Sequence, residues 1–149
     1  MKLENTGQST DKNVGPFIEQ IGVPKENRTG ENRIAATPDS VKRLTKAGFR
    51  VAIEHGAGEL SGFDDSEYQV AGADLVTAAE AWGKKIVLKV MPPSIREASQ
   101  LKSESLLISL LEPFQNEDLF QYFCQNKIDS ISLELIPRTS RAQSMDVLS

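Results

Sequence analysis

Short apolar runs alternate with amphipathic stretches along this chain from Phe17 onward, while the residues before it offer almost nothing to bury. Residues 1–16, rich in Asn, Thr, Ser, Gln, Gly and Lys, read as a flexible tail. Phe17 to Pro24 reads as a strand ended by proline, and Thr37-Pro38-Asp39-Ser40 supplies an N-cap, a proline at the first helical position and an acidic first turn for a helix through Ala47. Arg50 to Glu54 is a second strand, Asp64 to Gly72 a helix with a glycine stop, Ala73 to Val76 a third strand and Ala78 to Trp82 a helical turn or two. Lys85 to Val90 is a fourth strand, broken by Met91-Pro92-Pro93. Ser105 to Leu111 is almost wholly apolar, as expected of a strand covered on both faces, and is placed at the sheet centre. Asn116 to Asn126 carries Leu119, Phe120 and Phe123 on one helical face, and Ser130 to Leu135 is the last strand.

Strands alternating with helices at this spacing predict right-handed crossovers and a mostly parallel sheet, so the fold class is α/β. Residues 17–136 form the domain, and 137–149 open a loop and helix that lead away from it. A length of 149 residues with 39% apolar and 26% charged residues suits one folded domain. The net charge of −4, with basic residues dispersed, argues against nucleic acid as a partner and against an anionic membrane. The single cysteine, Cys124, excludes an internal disulfide framework and reads as a buried small residue on a helix. No run reaches the roughly 18 to 20 apolar residues of a membrane span, and the first residues lack a signal peptide's apolar stretch, so no direct membrane insertion and a cytoplasmic location are expected.

Candidate chemistry is sparse. Gly56-Ala57-Gly58-Glu59-Leu60-Ser61-Gly62 fails as a phosphate-cradling G-x-G-x-x-G, because its third glycine is displaced and no acidic residue ends a second strand about twenty positions on. It reads as a tight turn needing positive φ, as do Gly22 and Gly48. His55, the sole histidine, stands at a strand end without a nucleophile or metal-ligand spacing, so a turn or surface position is favoured over a general base. The charged loop Lys25 to Arg33 follows the first strand, where open α/β sheets place ligands, yet its composition equally describes a solvated loop of self-compensating charges. Lys89, near the end of an apolar strand, must either snorkel outward or meet an anion. No metal site is expected.

The block Pro137 to Ser149 is richer. Arg138 and Arg141 offer planar donors, Gln143 and Ser144 both donors and acceptors, and Asp146 an acceptor for a ribose hydroxyl or an arginine. These groups bind and position rather than break bonds. As a bare pattern, the same residues describe a helix Arg141 to Ser149 capped by Ser140 with its arginines exposed.

Taken together, Ile21-Gly22-Val23-Pro24-Lys25-Glu26, Glu31 to Pro38, Ala47-Gly48-Phe49, Glu54-His55-Gly56-Ala57-Gly58 and Leu88-Lys89-Val90 resemble the N-terminal domain of the alanine dehydrogenase and NAD(P) transhydrogenase family over residues 18 to 149. Pro137-Arg138-x-Ser140-Arg141-Ala142-Gln143-Ser144-x-Asp146-x-Leu148-Ser149 resembles the transhydrogenase branch, and specifically the NAD(H)-binding alpha subunit of the proton-translocating enzyme. The fold so implied is a Rossmann-like (flavodoxin-like) three-layer domain, incomplete relative to the family. The resemblance further implies NAD(H) as nucleotide with NADP(H) on a partner component, a homodimer, and membrane-spanning components to which the chain is peripheral. Arg138, Gln143, Asp146 and Ser149 match the family's NAD(H) residues, with Gln143 nearest the nicotinamide. Arg33 and Lys89 match the carboxylate ligands of alanine dehydrogenases.

That resemblance implies NAD(P) transhydrogenation, with the 149 residues alone inactive for want of the family's glycine-fingerprint domain. An alanine dehydrogenase moves protons as well as a hydride through a histidine after the strand matching Leu106 to Leu110; here Leu111-Glu112-Pro113-Phe114-Gln115-Asn116 has none. Two other expectations stand beside it: an alanine dehydrogenase-like fragment, and a non-catalytic binding or assembly domain.

Overall fold

Four of the five α-helices among the described residues begin where a short polar side chain takes up a backbone N–H that has no partner in the first turn. The computed structural model describes residues 18–112 and 116–133. Its elements are β1 (Gln20–Val23), α1 (Pro38–Lys46), β2 (Arg50–Glu54), α2 (Asp65–Ala71), β3 (Asp74–Val76), α3 (Ala78–Trp82), β4 (Ile86–Leu88), α4 (Ile95–Ala98), β5 (Leu106–Ser109), α5 (Glu117–Gln125) and β6 (Asp129–Ser132). Thr37 caps α1 by accepting from the Ser40 N–H, with Pro38 as the first helical residue. Asp64, Thr77 and Ser94 each form a reciprocal capping box, with Glu67, Glu80 and Glu97 in turn. The Ser66 hydroxyl and the Glu67 N–H hold the Asp64 carboxyl below its ordinary range, as the Thr77 N–H and hydroxyl hold Glu80. Helix α4 was not expected from the sequence, although Ser94-Ile95-Arg96-Glu97 carries its signal.

Among the described residues all five strand pairings are parallel, in the order β3-β2-β1-β4-β5-β6. This order has a physical consequence. The chain steps outward from β1 to β3, then crosses to β4 and steps outward the other way. Right-handed crossovers therefore put α1 and α2 on one face and α3, α4 and α5 on the other. Two apolar clusters confirm the three layers. Val41, Leu44, Tyr68 and Ala71 pack with Ile21, Val23, Val51, Ile53 and Leu88; Trp82, Ala98, Leu119 and Phe123 pack with Val87 and Leu107. Arg50 clamps β2 to β3 through two hydrogen bonds to Asp74, at 2.6 and 2.9 Å.

Three expectations are corrected. The centre of the sheet is the β1–β4 pair, and β5 is next to the edge. Leu107 and Leu111 of the apolar run Ser105 to Leu111 are buried beneath α4 and α5, whereas Leu106, Ile108 and Leu110 are only half-buried, because α1 and α2 reach no farther than the other half of the sheet. Cys124 is exposed, since Leu119 and Phe123 define the inward stripe of α5 and Cys124 lies off it; Phe120 is half-buried, edge-on to Phe123 at 5.9 Å. Gly22 needs no positive φ: it sits within β1, where the carbonyl of Ala81 crosses too closely for a side chain. Gly48, Gly56 and Gly62 do take the positive φ expected of them. The tail and the block Pro137 to Ser149 lie outside the described residues.

Candidate functional site

β1 and β4 are adjacent, but the chain leaves them in opposite directions, so the loops after them part at the carboxyl end of the sheet. Open α/β sheets hold ligands at such a switch point. The loop after β1 brings Lys25 to Arg33 here, and the segment after β4 brings Lys89, Val90 and Met91.

Lys89 follows β4 into the core, where its side chain is 2% exposed, and of the two fates open to it there it meets an anion. Its Nζ donates to Oε1 of Glu26 at 2.9 Å, and the Glu26 side chain is itself 3% exposed. The same carboxylate accepts the Val90 N–H at 2.7 Å through Oε2 and the Met91 N–H at 3.1 Å through Oε1. Trp82, from α3, presents its ring 5.9 Å from the ammonium. Every charge in this knot is therefore met by an opposite charge or a dipole, the condition for burying it. Glu26 is the site residue that sequence reasoning missed. The signal was available, since a lysine buried after an apolar strand demands an acid, but which acid depends on β1 and β4 being neighbours.

Arg33 is also paired with an acid, but within its own loop and with its side chain 58% exposed. Its Nε and Nη2 donate to the two oxygens of Glu31 at 2.9 and 3.0 Å, and its N–H donates to Oε2 at 2.9 Å. The guanidinium hydrogen bond holds the Glu31 carboxyl below its ordinary range, and Glu31 raises Arg33 in return. Arg28 reaches Glu112 at 3.4 Å, and Asn27 reaches Glu97 at 3.0 Å, so the loop straps across toward α4 and β5. The loop's charges are thus largely self-compensating. His55 is a turn residue, 61% exposed, with Nδ1 3.3 Å from Asp65; Asp65 also takes the Gly56 N–H.

Nothing among the described residues fits the pyrophosphate of a dinucleotide. The turn after β1 holds Pro24, Lys25 and a buried carboxylate where the fingerprint would place glycines and a helix N-terminus, and α1 begins only at Pro38. A hollow of about 410 Å³ between Pro93, Ser94, Ile95 and Asn116 to Leu119 is bordered by Glu117 and Asp118, whose charges repel phosphate. Among the described residues no three His, Cys, Asp or Glu side chains gather to hold a metal ion, and no helix is long and apolar enough to cross a membrane. Arg138, Gln143, Asp146 and Ser149, the nucleotide residues implied by resemblance, lie outside the described residues.

Comparison with known proteins fits this architecture. Residues 22–149 match the family described as alanine dehydrogenase/PNT, N-terminal domain. The chain is 40% identical over 129 residues to an NAD(P) transhydrogenase subunit alpha of Haemophilus influenzae, covering 87% of this chain and 25% of that one. It is 32% identical over 129 residues to alanine dehydrogenase 1 of Staphylococcus aureus, covering 87% and 35%. Its fold matches the crystal structure of transhydrogenase from Sinorhizobium meliloti with a TM-score of 0.81 at 39% identity, covering 86% of this chain and 39% of that one. The chain therefore spans about a quarter to two-fifths of the length of these relatives.

Proposed function

The chain belongs to the alanine dehydrogenase/PNT N-terminal domain family, and on that footing we propose that it is part of the NAD(H)-binding component of a proton-translocating NAD(P) transhydrogenase. In this reading NADH and NADP+ are both substrates. A hydride passes from one nicotinamide to the other while protons cross the membrane, and no general base is required, only close approach and orientation of two rings. Gln143 stands nearest the nicotinamide, with Arg138, Asp146 and Ser149 completing the NAD(H) contacts. The partners are a second copy, an NADP(H)-binding component and membrane-spanning components, which hold the chain at the cytoplasmic face of the membrane. The 149 residues alone are inactive.

The observation that carries this reading is the state of the two cations that a keto-acid substrate would need. Lys89 and Arg33 are each paired with an acid of the same chain, Glu26 and Glu31, and Leu111 to Asn116 includes no histidine to move a proton. A second reading, an alanine dehydrogenase-like oxidoreductase, draws on the 32% identity to alanine dehydrogenase 1. The assay of the complete gene product decides between them. Hydride transfer from NADH to an NADP+ analogue, without reductive amination of pyruvate, is the expected result; alanine-dependent NAD+ reduction at an ordinary dehydrogenase rate would overturn it. NADH titrated into the 149-residue chain is expected to bind only weakly, since no G-x-G-x-x-G occurs in these residues.

A further inference from the structure

The segment after β4 and the start of α5 enclose the hollow of about 410 Å³ at the carboxyl end of the sheet. Its apolar lining is Pro93, Ile95 and Leu119. Pro93 and Leu119 are buried, whereas Ile95, the first residue of α4, stands 45% exposed beside them. A large aliphatic side chain left open at the mouth of a hollow is surface that a partner can cover.

The polar groups around it are not alike. Ser94 is spent on capping α4, where it accepts the Glu97 N–H, and the Asn116 amide donates to the Leu111 and Glu112 carbonyls at 2.9 and 3.2 Å. The nearby acids Glu97 and Glu112 are met by Asn27 and Arg28. Glu117 and Asp118 differ: among the described residues neither carboxylate has a hydrogen-bond or ion-pair partner. As first-turn residues they face the positive end of α5, but that end is worth roughly half a charge and they bring two. The excess at the hollow is negative.

Apolar lining and uncompensated negative charge side by side select their ligand. A purely apolar occupant would desolvate two carboxylates without return, and an anion is repelled. A long side chain with an apolar stem and a cationic head meets both features, and arginine does so best, because its planar fork matches carboxylates and sheds water more readily than an ammonium. We propose that the hollow between α4 and α5 is a docking groove for an arginine-bearing segment of a protein partner, with the methylene stem on Pro93, Ile95 and Leu119 and the guanidinium on Glu117 and Asp118. Apolar residues beside that arginine cover Ile95. The inference holds whichever nucleotide reaction the whole protein performs.

The probe is the peptide acetyl-Leu-Arg-Leu-amide, titrated into the 149-residue chain and followed by NMR of the backbone amides. Saturable shifts confined to Ser94, Ile95 and Glu117 to Leu119 are expected. The same peptide with citrulline, which keeps the shape of arginine without its charge, should bind at least about tenfold more weakly. Glu117→Gln together with Asp118→Asn should weaken the arginine peptide by a similar factor and remove its dependence on salt, whereas Asp39→Asn, on the opposite face of the sheet, should leave it unchanged. Both exposed substitutions spare the core; if the pair does not fold, each is read singly. Ile95→Ser should weaken the peptide as well. Agmatine, the arginine head on a short amine, distinguishes a partner segment from a free small cation. It should bind far more weakly than the peptide, for want of the flanking leucines. Equal binding by the citrulline peptide or by agmatine, binding that survives the double substitution, or no saturable shift at the hollow overturns the groove.

Discussion

Gly22 in β1 lies so close to the Ala81 carbonyl of α3 that a Cβ built on it would overlap that oxygen, with the Ala81 carbonyl carbon and Lys84 Cγ also in reach. Helix α3 crosses from β3 to β4 over this point and packs on β1 and β2, so the contact sets how closely the second layer sits on the sheet. The obstacle is backbone, which has nowhere to retreat.

Gly22→Ala should therefore destabilise the fold by about 3 kcal/mol or more, at the upper end of overpacking costs. Chemical denaturation of the two chains measures this. A loss below about 1 kcal/mol would mean that α3 moves aside easily.

Tyr68 of α2, fully buried, donates its hydroxyl to the Ala36 carbonyl at 2.8 Å. Tyr68→Phe keeps the ring and leaves that carbonyl without its donor, and should cost about 1 to 2 kcal/mol. Burial, with Glu67 and Asp65 adding to it, pushes the phenol well above its ordinary value. The folded state thus favours the neutral phenol. Its contribution is complete below the unfolded value of about 10 and is lost as pH rises toward the folded one. Tyrosinate absorbance from Tyr68 should appear only together with alkaline unfolding; its appearance in the folded chain near pH 10 would contradict the burial argument.

The Glu31 carboxyl is depressed by the Arg33 guanidinium, so the order that this clamp gives the loop is present above the ordinary value of 4.5 and fades as pH falls through the lower folded value. Titration of the Glu31 side-chain carbon by NMR should show a midpoint below that value, and Arg33→Gln should move it upward. A midpoint unchanged by Arg33→Gln would remove the guanidinium as its cause.

In the complete subunit, Gln143→Ala should lower hydride transfer by orders of magnitude while changing NADH affinity only modestly, because ring alignment costs rate and not ground-state binding. Arg141→Ala should do much less. Stopped-flow transfer with parallel equilibrium titration measures both, and parental turnover in Gln143→Ala would take that residue out of the proposed mechanism.

The sequence by itself determined the order and kind of nearly every element. The cap at Thr37, the glycine stops at Gly48 and Gly72 and the apolar runs between them act within a few residues, so they are legible without knowing where any strand lies. Ser94 with Glu97 was equally local, and α4 escaped only because four residues leave no periodicity. The branch-specific block around Gln143 was legible as a resemblance, and it remains a proposal.

Only the tertiary structure decided what depends on neighbours distant in sequence. An apolar run such as Leu106 to Leu110 reads the same whether helices cover one face or two; the strand order left its second face half-covered. Gly22 reads as a turn residue until Ala81 is placed above it. Lys89 announces that it needs an acid, but Glu26 becomes that acid only because β1 pairs with β4, bringing together residues 63 apart. Periodicity and capping report the chain's local preferences, whereas burial of a charge is settled by whatever the fold sets against it.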